Sequence, residues 1–169
     1  MKSRRLSRRH VLAVGAGFAG TLVFGGCGFQ LRGRAQLPAE MSRTFLASND
    51  RQSLFHRKLR RALIDNGIQI VDSPVDATAV LRILDDETGQ RVLSVSARNI
   101  PREYEVFYRI RFSVEAGETT LIEPQEQALV RDYTYDETQV LGKAREEELL
   151  RDAIADDLVR VVMFQLAAI

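Results

Sequence analysis

Four groups of residues in this chain have types and spacings that could do chemistry. Gly15-Ala16-Gly17-Phe18-Ala19-Gly20 is a literal G-x-G-x-x-G directly after the apolar Val11-Leu12-Ala13-Val14, as at the start of a dinucleotide-binding turn. Asp85, Asp86 and Glu87 are three adjacent acids that could attract a cation. Glu103 and Glu105 are two carboxylates that could share general acid and base work. Cys27 is the single cysteine of 169 residues.

Each group is tested by what must surround it. A dinucleotide turn needs a helix after the glycines, a second strand, and an acid about 20 residues on for the ribose. After Gly20 the chain runs TLVFGGCGFQLRG, with further glycines and no helical periodicity, and the first acid is Glu40. The acid triplet lacks the spaced oxygen ligands and closing Glu of a calcium loop, so a turn accounts for it better. Glu103 and Glu105 fall on the wet face of an alternating strand, where neither is desolvated for acid–base work. One cysteine excludes an intrachain disulfide. With two histidines, one of them His10, a His-rich metal site or a Cys/His nucleophile pair is excluded from residue 27 on. The chain has no G-x-S-x-G, Walker loop, H-E-x-x-H or kinase signature. The expectation is a binding or scaffolding module: no enzyme, no catalytic residue, no metal, no cofactor and no nucleic acid.

Cys27 gains meaning from what precedes it. Lys2, Arg4, Arg5, Arg8 and Arg9 stand in the first 26 residues without an acid. The other 19 of the 24 basic residues face 23 acids, so the rest of the chain is net −4. The apolar run Val11 to Phe24 is 14 residues, the length of a signal-peptide core. As a helix it would reach about 21 Å, short of a bilayer core of roughly 30 Å. Gly25-Gly26-Cys27 after such a run resembles a lipobox, although Phe24 stands where Leu is usual. Residues 1–26 therefore read as a lipoprotein signal peptide, with Cys27 lipidated and first in the mature chain. Ser7-Arg8-Arg9-His10-Val11-Leu12 resembles a twin-arginine export motif, and a merely basic leader reads equally well. Three acyl chains, at about 0.8 kcal/mol per CH₂, would hold the protein on a membrane surface without a spanning helix.

Residues 27–38 read as the lipidated N-terminus and linker, and residues 39–169 as one domain. The pattern predicts a strand at Arg43 to Ser48 and a helix from about Arg51 to Asn66. Ser48-Asn49-Asp50 would cap that helix and Gly67 would end it. Phe55, Leu59, Ala62 and Leu63 mark its inner face, and Arg57, Lys58, Arg60 and Arg61 its outer face. The basic face is either solvated surface or a contact for phosphates or an acidic partner. Ile68 to Val71, Ala77 to Leu84 and Arg91 to Ser96 read as strands, the last two joined by a turn at DDETGQ. Glu103 to Glu115 alternates most clearly of all, and a strand returns over Gln125 to Tyr135 after a break at Pro124. A last helix spans Lys143 to Ala167, with an inner stripe of Leu150, Ala153, Ile154, Leu158, Val161 and Val162 interrupted by Asp157. The expected fold class is α+β: two helices packed on one face of a mainly antiparallel four-stranded sheet, a two-layer sandwich.

These features coincide with those of a known family. Cys27 is followed by Gly28-Phe29-Gln30-Leu31-Arg32-Gly33, then Leu37-Pro38. A helix ends LRRALIDNGIQIV, Arg102 to Tyr104 gives R-x-Tyr, and VLGKAREEELLRDAIADDLVRVV introduces the last helix. The chain resembles the lipopolysaccharide-assembly lipoprotein family LptE over its whole length. The resemblance implies a lipoprotein on the periplasmic side of the outer membrane. It would plug and help assemble the LptD β-barrel and assist lipopolysaccharide insertion at the cell surface. The alternative is a periplasmic auxiliary lipoprotein of another lipid-transport system. By the resemblance, Arg98 and Lys143 match basic residues before the family's long strand and at the opening of its last helix. Those two, with their neighbours Arg102 and Arg145, are the candidate lipopolysaccharide contacts.

Overall fold

The computed structural model describes residues 37–134 and 140–169. Cys27, the stretch 28–33 and the glycine motif lie outside the described residues.

A single 3₁₀ turn, Ala39–Met41, leads into β1, Arg43–Ser48. Met41 is fully buried, and its carbonyl accepts the hydroxyl of buried Thr44 at 2.7 Å. Helix α1 is Leu54–Asp65. Its cap is Ser53, whose Oγ accepts the His56 N–H at 3.0 Å; the expected cap at Ser48-Asn49-Asp50 is overturned. Those residues spend their side chains on a local turn instead. Ser48 Oγ accepts the Asp50 N–H at 3.2 Å, and Asp50 Oδ1 accepts the Gln52 N–H at 2.8 Å. The helix ends as expected at Gly67, which takes φ +91°. The N–H groups of Gly67 and Ile68 donate to the carbonyls of Ile64 and Leu63, a Schellman closure that favours glycine at this position.

Strands β2, Gln69–Val71, β3, Ala79–Val95, β4, Pro101–Ala116, and β5, Thr119–Thr134, follow, and helix α2, Val140–Leu166, ends the chain's regular structure. The strand order is β2-β1-β3-β4-β5. The sheet has five strands, with two parallel and two antiparallel pairings, where a mainly antiparallel sheet of four is expected. The α1 crossover returns the chain parallel to β1, and β1 lies parallel to β3 as well, while β3, β4 and β5 form an antiparallel meander. Three-residue β2 falls within the expected strand Ile68 to Val71, while the expected strands Ala77 to Leu84 and Arg91 to Ser96 are one continuous β3.

Both helices pack on the face carrying Val106, Tyr108, Ile110, Phe112 and Val114 of β4. Phe55 of α1 meets the Tyr108 ring at 6.4 Å between centroids, and Ile154, Leu158 and Val162 of α2 join the same buried cluster. The α+β two-layer class stands. Asp157, out of place in the α2 stripe, reaches Arg131 of β5 at 2.6 Å and also pairs with Arg160.

Two further expectations fall. DDETGQ is not a turn: it lies inside β3, which runs unbroken. A register shift between Ile83 and Asp85 absorbs Leu84, and the acids then find partners across the ladder. Asp86 accepts the Tyr108 hydroxyl at 2.8 Å and the Ser53 hydroxyl at 2.5 Å, while Glu87 pairs with Arg109. Pro124 is likewise inside β5. It sits at a register shift on an edge strand, where a missing N–H costs little. The second sheet face is not uniformly wet either. Glu105 is only 8% exposed and pairs with Arg91 at 2.5 Å, a cross-strand ion pair.

Candidate functional site

The β3–β4 hairpin ends in a short loop. Ser96 and Ile100 close it through N–H to carbonyl at 2.7 Å, with the Ile100 N–H also donating to Ser96 Oγ at 3.2 Å. The Asn99 N–H donates to the Ser96 carbonyl, and Asn99 takes φ +61°, a left-handed conformation Asn tolerates. Arg98 occupies the apex of this turn and is exposed. Arg102, at the start of β4, is exposed too. Neither guanidinium has an ion-pair partner among the described residues.

Around them the hairpin shows apolar side chains to solvent. Val92, Leu93, Val95 and Ile100 are all exposed, Val95 to 52%. Four such residues beside two unpaired cations is an amphiphilic surface, unlike the scattered single exposures of an ordinary surface. Sequence reasoning missed these apolar residues as a group. A signal was present: Val92-Leu93 are adjacent, so an alternating strand must turn one of them outward.

The hairpin base is ordered by a tyrosine pair. Tyr104 of β4 and Tyr133 of β5 are register partners, with rings stacked at 5.6 Å and 16°. The Tyr133 hydroxyl donates to Gln90 at 2.9 Å. The Lys143 ammonium lies 6.0 Å from the Tyr133 ring centroid, at the limit of cation–π range, and pairs with Glu146 at 2.7 Å. Lys143 is thereby placed at the same end of the sheet as Arg102 and the hairpin. It differs from Arg98 and Arg102 in already having an acid. Arg145 is likewise committed, to Glu148 at 2.5 Å. The structure brings Lys143 to the hairpin base and leaves Arg98 and Arg102 as the unpaired pair.

Deeper in, Tyr108 links the layers. Its hydroxyl donates to Asp86 and accepts the Phe55 N–H at 3.1 Å. Burial first, then the Asp86 hydrogen bond, hold its pKa well above the tyrosine range. Burial would lower the Lys58 pKa, but hydrogen bonds to Asp156 and Asp152 outweigh it and the pKa is raised. These are structural contacts within the fold. No group of three His, Cys, Asp or Glu among the described residues could hold a metal ion. No described helix is long and apolar enough to cross a membrane. The site offers charge and apolar surface for binding.

A family model described as "Lipopolysaccharide-assembly", LptE, matches residues 42–166. The LPS-assembly lipoprotein LptE of Yersinia enterocolitica is 30% identical over 167 residues, covering 95% of this chain and 79% of that protein. The same-named protein of Yersinia pestis is 27% identical, with 96% and 78% covered. Among solved structures, the solution structure of a lipoprotein B from Nitrosomonas europaea superposes with a TM-score of 0.70 at 27% identity, covering 83% of this chain and 91% of that one. The rare lipoprotein B of Shewanella oneidensis gives 0.65 at 28%, over 75% and 94%.

Proposed function

The chain belongs to the lipopolysaccharide-assembly lipoprotein family LptE, a non-enzymatic family of the Gram-negative envelope, and from that premise we propose that it plugs and helps assemble the LptD barrel. On this reading it is held at the periplasmic side of the outer membrane by acyl chains on Cys27, after removal of residues 1–26. It receives lipopolysaccharide and assists its passage to the cell surface.

The observation that carries the ligand side is the β3–β4 hairpin. Lipopolysaccharide presents phosphates beside acyl chains. Arg98 and Arg102 offer two unpaired guanidiniums, which suit phosphate oxygens, beside Val92, Leu93, Val95 and Ile100. Lys143 stands at the hairpin base as a further cation, and Arg145 contributes least because Glu148 holds it.

Purification of the tagged full chain from outer membranes, with mass spectrometry, tests the whole reading. It should recover a large outer-membrane barrel and a triacylated N-terminal peptide beginning at Cys27. An inner-membrane transporter in place of the barrel would favour an auxiliary lipoprotein of another lipid-transport system. Unchanged barrel level and surface lipopolysaccharide after loss of the protein would also sink the proposal. For the ligand, Arg98→Asp with Arg102→Asp should weaken lipopolysaccharide binding in a salt-dependent way, and Lys143→Asp should add to it.

A further inference from the structure

The outer face of α1 gathers positive charge on one short helix. The helix carries Arg57, Lys58, Arg60 and Arg61 against a single acid, Asp65. Lys58 is answered by α2, through Asp156 at 2.7 Å and Asp152 at 3.0 Å. Arg57, Arg60 and Arg61 are exposed and have no ion-pair partner among the described residues. Several cations elsewhere are paired within the fold, Arg82 with Glu115, Arg91 with Glu105, Arg109 with Glu87 and Arg131 with Asp157, and besides Arg98 and Arg102 of the hairpin no other element of the described fold gathers three exposed, unpaired arginines.

The cluster works against its own helix. Arg57 and Arg61 are like charges at i,i+4, and Arg57 and Arg60 at i,i+3. The first turn of α1 holds no acid, so the positive end of the helix dipole is met by more positive charge. Local conflict without an internal partner marks a surface answered from outside the chain.

Beside the arginines, an open groove of about 720 Å³ runs between α1 and α2. Leu54, Ala62 and Val159 give it apolar lining, Arg57, Lys58, Arg61 and Arg160 line it with positive charge, and Asp65 and Asp156 are the two acids on its wall, Asp156 being held by Lys58. Ile64, exposed one turn beyond Arg60, extends the apolar surface.

We propose that this face of α1 docks an acidic segment of another protein, with carboxylates on Arg57, Arg60 and Arg61 and apolar side chains in the groove. An anionic lipid surface fits less well. The apolar lining of Leu54, Ala62 and Val159 lies in a groove between the helices, which side chains of a protein segment can enter and a plane of phosphates cannot. A second copy of this chain fits less well again. The acidic run of α2 is spoken for, Glu146 by Lys143, Glu147 by Arg151 and Glu148 by Arg145. The proposal stands apart from the hairpin site and from the reading of the ligand there.

The test is a photo-crosslinking side chain placed at Ile64 in the full chain, in the cells that make it, with adduct peptides identified by mass spectrometry. The expected result is one discrete protein adduct whose captured peptide is rich in Asp and Glu. It should fall at least tenfold in the Arg57→Glu, Arg60→Glu, Arg61→Glu background and persist in Arg98→Asp with Arg102→Asp. Circular dichroism of an Arg57→Gln, Arg60→Gln, Arg61→Gln variant should show an intact fold with the same loss of adduct. A lipid adduct, an adduct with this chain itself, a captured peptide without acids, or an adduct indifferent to the arginines would each overturn the proposal.

Discussion

The two ends of the β3–β4 ribbon are held by different things. At the packed end, β4 residues Val106 to Val114 alternate onto the helices, and Val106, Ile110, Phe112 and Val114 are fully buried. At the hairpin end the same two strands show Val92, Leu93, Val95 and Ile100 to water. One end is fixed by apolar burial, the other by the backbone ladder, the Tyr104–Tyr133 stack and ion pairs such as Arg91–Glu105. An exposed apolar hairpin adds nothing to the core, which is why its composition speaks of contact with something outside the chain.

Substitutions that split stability from binding sharpen this comparison. The largest effect belongs to Phe112→Ala at the packed end, which should cost about 3–5 kcal/mol by removing a fully buried ring. Urea unfolding of the two proteins measures it. Next comes Tyr108→Phe, which takes the hydroxyl from between Asp86 and the Phe55 N–H. It should cost about 1–3 kcal/mol, read from the same transition, because the buried Phe55 N–H loses its acceptor while half-buried Asp86 loses one of its two donors.

Smaller still is a pH effect at α1. Burial holds the His56 pKa below its ordinary value, and the positive charges of Arg51 and Arg60 add to this; the Arg51 carbonyl and Asp86 oppose it. The unfolded chain therefore takes the proton first, at a pKa of about 6.5. Stability should fall as pH drops from there through the lowered native value. His56→Gln should flatten that slope in thermal melts between neutral pH and the acid side. Least of all for stability is Val95→Ser with Ile100→Ser, expected within about 0.5 kcal/mol of the parent. The same pair should weaken lipopolysaccharide binding measurably. A large loss of stability there would erase the distinction between the two ends.

Much of this was legible in the residues. RTFLAS predicts β1 at its observed bounds because it is short, carries a β-branched and an aromatic residue, and is followed by turn residues. Gly67 marks the helix end because a left-handed closure favours glycine. The middle of β3 was not legible. Asp85, Asp86, Glu87 and Gly89 have turn chemistry locally, and only β4, lying alongside, makes them strand residues. Tyr108 lies far along the chain from Asp86, and no local window sees it. The parallel pairing of β1 was hidden for the same reason. At the site, basic residues were visible as types, but whether a cation is free or answered is a fact of the folded neighbourhood. Lys143 and Arg145 have acids at hand; Arg98 and Arg102 do not.

The place of β1 in the sheet has a consequence for how the chain assembles. β3, β4 and β5 are neighbours in sequence and can zip as successive hairpins with short loop closures. β1 lies between β2 and β3, and all its partners are beyond α1 in the chain. A chain that emerges N-terminus first therefore presents β1 with both edges bare until α1, β2 and β3 have followed. Capture of β1 is then expected to lag behind zipping of the meander, since its pairings close over the whole of α1. Conditions that slow its capture should trap a meander lacking its first strand, with Leu46 and Met41 still in water.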